Sequence, residues 1–344
     1  MIIFSQTFFV ILQSVFFTMQ DYLSEIRRPI EAELERFNVL YNDSLSHTNG
    51  MLSDVLNYIC QRSGKRMRPL LTILIAKNYG KVNESTYLAA IGLELLHTAS
   101  LVHDDVVDEA DRRRGQRSVN NVYGNKAAVL VGDYIISTAL LNVAKTCNTK
   151  IVESLSDLGQ TLANGELMQL TANSEETISE EAYYSIIEQK TAALFETCCV
   201  MGATSVNATE EEIEEARKFG RKLGIIFQIR DDIFDYYEMP KLGKPTGNDM
   251  AEGKLTLPAI HALLTSGDDE TLAIAQRVKK FEASKEDIAK LIDFTKKNCG
   301  IEYAEEVMLR MHDEALQFVN NRVGDKMIKS SLITYLNYCI KRTL

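Results

Sequence analysis

The densest concentration of reactive side chains runs His103-Asp104-Asp105-Val106-Val107-Asp108-Glu109-Ala110-Asp111-Arg112-Arg113-Arg114-Gly115. On a helix Asp104, Asp105 and Asp108 converge on one side, because one turn separates Asp104 from Asp108. Arg112, Arg113, Arg114 and Arg117 follow at once. Carboxylates this close repel one another unless a cation lies between them, and a hard ion such as Mg2+ takes oxygen ligands of this kind. Mg2+ binds one or two carboxylates together with substrate phosphates, and neighbouring arginines clamp those phosphates well. The stretch reads as a metal-diphosphate site.

Gln228-Ile229-Arg230-Asp231-Asp232-Ile233-Phe234-Asp235 repeats the Asp-Asp-x-x-Asp pattern much later in the chain. One such motif could be a solvated helix face with Asp108 and Arg112 paired at i, i+4. Two copies, each embedded in apolar helix, argue against that reading.

Further cations are spaced along the chain. Gly64-Lys65-Arg66-Met67-Arg68-Pro69 puts three of them just before an expected helix start, where free N–H groups and the positive dipole end favour an anion. His97 lies seven residues before Asp104, on nearly the same helix face, and can donate to a phosphate; His103 is rotated about 100° away and receives no role. Gln189-Lys190-Thr191 offers an ammonium and a hydroxyl in mid-helix. Leu242-Gly243-Lys244-Pro245-Thr246-Gly247-Asn248-Asp249, followed by Glu252-Gly253-Lys254, is a Gly/Pro loop carrying point-charge lysines for phosphates. It matches neither a Walker nor a dinucleotide loop.

These groups need a scaffold that brings distant segments together. Long stretches keep a three-to-four-residue apolar spacing, as in Ile151, Leu155, Leu158, Leu162 and in Ile213, Ala216, Gly220, Leu223, Phe227. No useful alternating run appears and only five prolines occur, so the fold class is all-α. Thr209 with Glu212 predicts a capping box opening the helix that ends in the second motif. Pro69 fits the first turn of a helix over Leu70 to Lys77, stopped by Gly80. With no linker and no repeat, the two motifs must face one another across one helical bundle around a central cavity.

The chain has 344 residues, 45% of them hydrophobic, enough for a large core. A net charge of -10 and the lack of an unopposed basic tract exclude nucleic acid as a partner. Cysteines 60, 147, 198, 199, 299 and 339 have no metal-ligand spacing and lie in apolar helical contexts, which predicts buried thiols in a reducing cytoplasm. Residues 1–18, MIIFSQTFFVILQSVFFT, lack the basic start of a signal peptide, and Gln6, Gln13 and Ser14 interrupt them as a membrane span. They are expected to be an extension outside the fold, the domain being residues 19–344, with no stable membrane insertion.

Together the two aspartate motifs, the Gly64-Lys65-Arg66-Met67-Arg68 turn, Lys190-Thr191 and the lysine loop resemble the trans-isoprenyl diphosphate synthases, the head-to-tail polyprenyl transferases, from about Met19 to the C-terminus. The resemblance implies an isoprenoid synthase-like bundle, usually a homodimer, that joins isopentenyl diphosphate to an allylic diphosphate with Mg2+, about three ions per loaded site. It implies Asp104, Asp105 and Asp108, and Asp231, Asp232 and Asp235, as metal motifs, with Lys190 counted among the catalytic groups. Lys65, Arg68, His97 and Arg114 match the isopentenyl diphosphate site. Arg113, Lys190, Thr191, Gln228, Lys244 and Lys254 match groups that hold the allylic diphosphate.

In such enzymes the growing chain passes residues just upstream of the first motif. Leu96, Ala99 and Ser100 stand there, none a blocking aromatic, so a medium or long product of roughly C30–C50 is expected, with Ile136 or Leu140 as the floor. A short-chain farnesyl or geranylgeranyl diphosphate synthase and a non-catalytic partner subunit are the alternatives; the intact motifs disfavour the latter. A terpene cyclase would lack the second Asp-Asp-x-x-Asp, and five histidines are too few for a phosphohydrolase cluster.

Overall fold

The computed structural model describes residues 19–61, 64–113, 115–174, 177–237 and 246–341. Residues 1–18, Arg114 and Lys244, each given a reading above, lie outside the described residues. The helices are α1 (Met19–Arg27), α2 (Glu31–Ser44), α3 (Gly50–Cys60), α4 (Met67–Tyr79), α5 (Glu84–Val107), α6 (Val119–Tyr123), α7 (Asn125–Ala144), α8 (Thr149–Ser174) and α9 (Glu180–Ile187). A π turn, Glu188–Ala192, leads into α10 (Ala193–Ser205), α11 (Glu210–Phe234), α12 (Asn248–Ala251), α13 (Leu257–Ser266) and α14 (Asp269–Lys279). Then come α15 (Lys285–Lys297), α16 (Gly300–Arg322) and α17 (Lys326–Lys341). The only strands among the described residues are the pair Arg112–Arg113 and Gln116–Arg117 just after the first motif.

Helices α4 and α10 are buried nearly all round, as core helices must be. Helix α10 packs on α4, α8 and α11, and α5 packs on α7, so a shell of helices closes around one apolar core. The periodic residues behave as expected: Ile151, Leu155, Leu158, Ile213, Ala216 and Leu223 are buried. The predicted Thr209–Glu212 capping box opens α11, and Asn83 with Thr86 opens α5 in the same way. Helices α5 and α7 are long and apolar enough to cross a membrane, but they pack against each other, and α5 carries Asp104 and Asp105 in its last turn.

Several expectations are corrected. Helix α4 starts at Met67, three residues before the predicted Leu70, because Arg66 takes a left-handed conformation (φ 52°) and turns the chain directly into the helix. Lys190 and Thr191 sit in the π turn rather than in regular α-helix. Cys198, Cys199 and Cys339 are buried as expected, but Cys147 and Cys299 are exposed at helix boundaries, where positive φ values of 53° and 56° bend the chain outward.

Candidate active site

Both aspartate motifs occupy the same local setting. Asp104 and Asp105 lie in the last turn of α5, with Asp108 as its C-cap; Asp231 and Asp232 lie in the last turn of α11, with Asp235 as its C-cap. A helix C-terminus already carries partial negative charge from its free carbonyls, so acids gathered there are unfavourable until a cation arrives. Burial and nearby Glu166 push the Asp104 carboxyl up to about 6. Burial and repulsion from Asp235 raise Asp249, and burial and repulsion from Asp249 raise Asp232.

The two motifs share one cleft. Burial works against the charge on Lys254, but Glu252, Asp249 and Asp108 outweigh it and hold the ammonium above the usual lysine range. Lys254 therefore feels Asp108 of the first motif and Asp249 behind the second. Lys190 does the same from the π turn: its Nζ donates to Glu166 Oε2 at 2.7 Å, and its charge acts on Asp104. A cavity of 270 Å3 in this region is lined by Lys190, Thr191, Gln228, Asp232, Asp249 and Lys254 among others.

The acids are not interchangeable. Asp105 is 2% exposed and accepts from Arg113 Nε at 2.6 Å, which folds the post-motif strand pair back onto the helix end. Asp232 is also 2% exposed, and both its oxygens are taken: Gln228 Nε2 donates to Oδ1 at 2.8 Å and Tyr183 OH to Oδ2 at 2.5 Å. Gln228 in turn accepts from Thr191 Oγ1 at 2.7 Å. Asp235 accepts the backbone N–H groups of Asn248 and Asp249 at 3.0 and 3.1 Å, capping α12.

Among the described residues no three acidic, histidine or cysteine side chains stand close enough to hold a metal by themselves. The donor set still fits Mg2+, because that ion takes one or two carboxylates and completes its shell with water and substrate phosphate. The raised Asp104 and Asp249 carboxyls are the places where such a cation would relieve most repulsion.

The other predicted residues fall in different places. Lys65 Nζ lies 5.7 Å from the centre of the Tyr338 ring, and Arg68 acts on Tyr335 and Cys198, so the basic turn is set against α17 and α10. Arg66 turns away, stacking on Tyr41 at 4.8 Å. His97 is half-buried on α5. His103, given no role, lies 3.1 Å from the Val129 carbonyl and 3.5 Å from Asp133, bracing α5 on α7. Leu96 and Ala99 are closed into the core, Ala99 at 0% exposure, while Ser100 and Ile136 are half-buried. Leu140, expected at the tunnel floor, is instead 41% exposed beside Leu141, because it falls on the outer face of α7.

Sequence reasoning missed Glu166, Tyr183 and Asp249 as site residues. Glu166 could have been noticed as an acid after Gly165 on the helix opposite Lys190-Thr191, and Asp249 as the acid closing the lysine loop. Tyr183 carried no signal, since its meaning depends on Asp232 across the fold.

An all-helical bundle that turns two acid-bearing helix ends and a set of lysines and arginines onto one cleft defines the diphosphate-handling prenyltransferases. A family model described as polyprenyl synthetase matches residues 49–295. The chain belongs to the polyprenyl synthetase family, the trans-isoprenyl diphosphate synthases, and is a prenyltransferase. It is 35% identical over 304 residues to the octaprenyl diphosphate synthase of Haemophilus influenzae, covering 88% of this chain and 91% of the relative. The crystal structure of geranylgeranyl pyrophosphate synthase from Bacteroides thetaiotaomicron is 45% identical, with a TM-score of 0.82 and coverage of 94% of this chain and 100% of that one. A polyprenyl synthase from Caulobacter crescentus, complexed with calcium and isoprenyl diphosphate, is 28% identical with a TM-score of 0.84, covering 93% and 98%.

Proposed function

We propose that this protein condenses isopentenyl diphosphate head-to-tail with an allylic diphosphate, using Mg2+, to give a medium- or long-chain trans-polyprenyl diphosphate. The observation that carries the reading is Lys254, which lines the cavity together with Lys190, Asp232 and Asp249 and whose ammonium is held charged by Asp249 behind the second motif and Asp108 of the first. Arg113, Lys190, Thr191, Gln228, Lys244 and Lys254 are assigned to the allylic diphosphate, and Lys65, Arg68, His97 and Arg114 to the isopentenyl diphosphate. Asp104, Asp105, Asp108, Asp231, Asp232 and Asp235 are assigned to the metal-binding motifs.

Mg2+ bound there would neutralise charge building on the leaving diphosphate. Lys190 exchanges Glu166 for substrate oxygens, and Arg113 beside the first motif and Lys254 beside the second hold the same group, stabilising negative charge as the allylic C–O bond breaks. The isopentenyl double bond attacks the allylic carbon, and the proton lost from the adduct goes to a diphosphate oxygen. No side-chain nucleophile enters.

Resemblance to octaprenyl diphosphate synthases and the small Ala99 and Ser100 side chains support a product of roughly C30–C50. The second reading, geranylgeranyl diphosphate, is favoured by the 45% identity to the Bacteroides enzyme. Cytoplasmic location and a homodimer complete the proposal; the exposed apolar face of α7 supports the second copy.

The test is to incubate the purified protein with isopentenyl diphosphate, farnesyl diphosphate and Mg2+ and size the products by mass spectrometry. A ladder reaching C30 is expected, absent in Asp104→Asn, and shortened by Ser100→Phe. Accumulation of C20 alone would favour the second reading, and no condensation by the wild type would overturn both.

A further inference from the structure

Tyr183 belongs to none of the motifs, yet its ring is buried and its hydroxyl makes one of the shortest hydrogen bonds near the site, 2.5 Å to Asp232 Oδ2. A phenol donating to a carboxylate is a charge-assisted bond, stronger than a neutral one. Gln228 holds the other Asp232 oxygen and passes the connection to Thr191. The bonds run from α9 (Tyr183) to α11 (Asp232, Gln228) and back to the π turn (Thr191) that continues α9. This closed circuit fixes the end of α11 against the turn that carries Lys190.

The root of α9 is itself anchored from the C-terminal half of the chain. Lys279 Nζ donates to the Thr177 carbonyl at 2.8 Å, and Tyr303 OH donates to Glu180 Oε2 at 2.9 Å. The phenol is therefore presented to Asp232 from a braced position, as preorganised sites require.

We propose that Tyr183 is a positioning residue for the condensation: by holding Asp232 Oδ2 it sets the end of α11, and with it Asp231 and the Gln228–Thr191 pair, in the arrangement that receives the metal-diphosphate complex. This rests on the functional reading above. Tyr183 itself touches no reacting atom.

Tyr183→Phe removes the hydroxyl and keeps the ring in its edge-to-face contact with Tyr184, 5.3 Å between centroids. Partners that orient metal-binding groups cost about 10–100-fold in affinity when removed. Calorimetric titration with Mg2+ and inorganic pyrophosphate should therefore show binding weakened about 10–100-fold in Tyr183→Phe and unchanged in the control Tyr184→Phe. In steady-state assays the KM for the allylic diphosphate and the half-saturating Mg2+ should rise, with the KM for isopentenyl diphosphate unmoved. In an Asp232→Asn background, Tyr183→Phe should add little further loss, because the hydroxyl acts through that carboxylate. Wild-type pyrophosphate binding in Tyr183→Phe, an equal loss in the KM of both substrates, or a variant that does not fold would each overturn the proposal. If the wild type in the same preparation makes no prenyl product, it is the functional reading that fails.

Discussion

Asp104 and Asp249 set the pH behaviour expected of the metal-free protein. Both carboxyls are raised by burial and by neighbouring acids, Asp104 to about 6. A carboxyl with a raised folded-state pKa binds its proton more tightly folded than unfolded, so its contribution favours the fold at low pH and is lost as pH rises through the folded value. The melting temperature without metal should thus decline between about pH 4, the unfolded aspartate value, and about pH 7. Adding Mg2+ with pyrophosphate should raise it far more at pH 7.5 than at pH 5.5, and an equal increment at both, read by calorimetry, would contradict this account. The acids of the two motifs were legible because i, i+1, i+4 spacing shows in one dimension. Glu166 and Tyr183 were not, because each acquires its role from a partner far along the chain, Lys190 and Asp232, and Asp249 was not, because its burial against Asp235 and Asp232 appears only once the chain is folded.

The π turn Glu188–Ala192 is held between two glycines. A Cβ on Gly224 of α11 would lie 2.4 Å from Ala192 Cα, and one on Gly165 of α8 would lie 3.0 Å from the backbone N of Lys190. At Gly224 the approach to the turn's backbone is closer than a side chain permits, and at Gly165 it is tighter than an ordinary Cβ contact. Gly224→Ala must push α11 away from the turn; overpacking of this kind costs about 1–3 kcal/mol. The expected outcome is a lowered denaturation midpoint together with weaker pyrophosphate binding, since the Gln228–Thr191 bond spans the same seam. A variant with wild-type stability and binding would show that the seam can open freely. Sequence pattern located α11 and its capping box because those depend on neighbours three and four residues apart. It could not show the π turn or the early start of α4, which are decided by packing and by one left-handed residue.

The all-α class, the single bundle and the meeting of the two motifs followed from periodicity and the absence of linkers, but which helix faces point outward did not. Leu130 and Leu141 on α7 are 68% and 64% exposed, with Val129 and Leu140 beside them, a set better suited to an interface than to water. If the proposed homodimer forms through this face, Leu130→Glu with Leu141→Glu should convert it to a monomer by sedimentation equilibrium; a wild-type monomer would remove the homodimer from the proposal. The setting of both motifs at helix C-termini has a consequence for the whole catalytic cycle. Two negatively charged ends facing each other exert an outward electrostatic pressure on the cleft. Arrival of a diphosphate with its cations would relieve that repulsion, and their departure would restore it. The emptied cleft would thus have walls that repel one another until the next diphosphate and its cations enter.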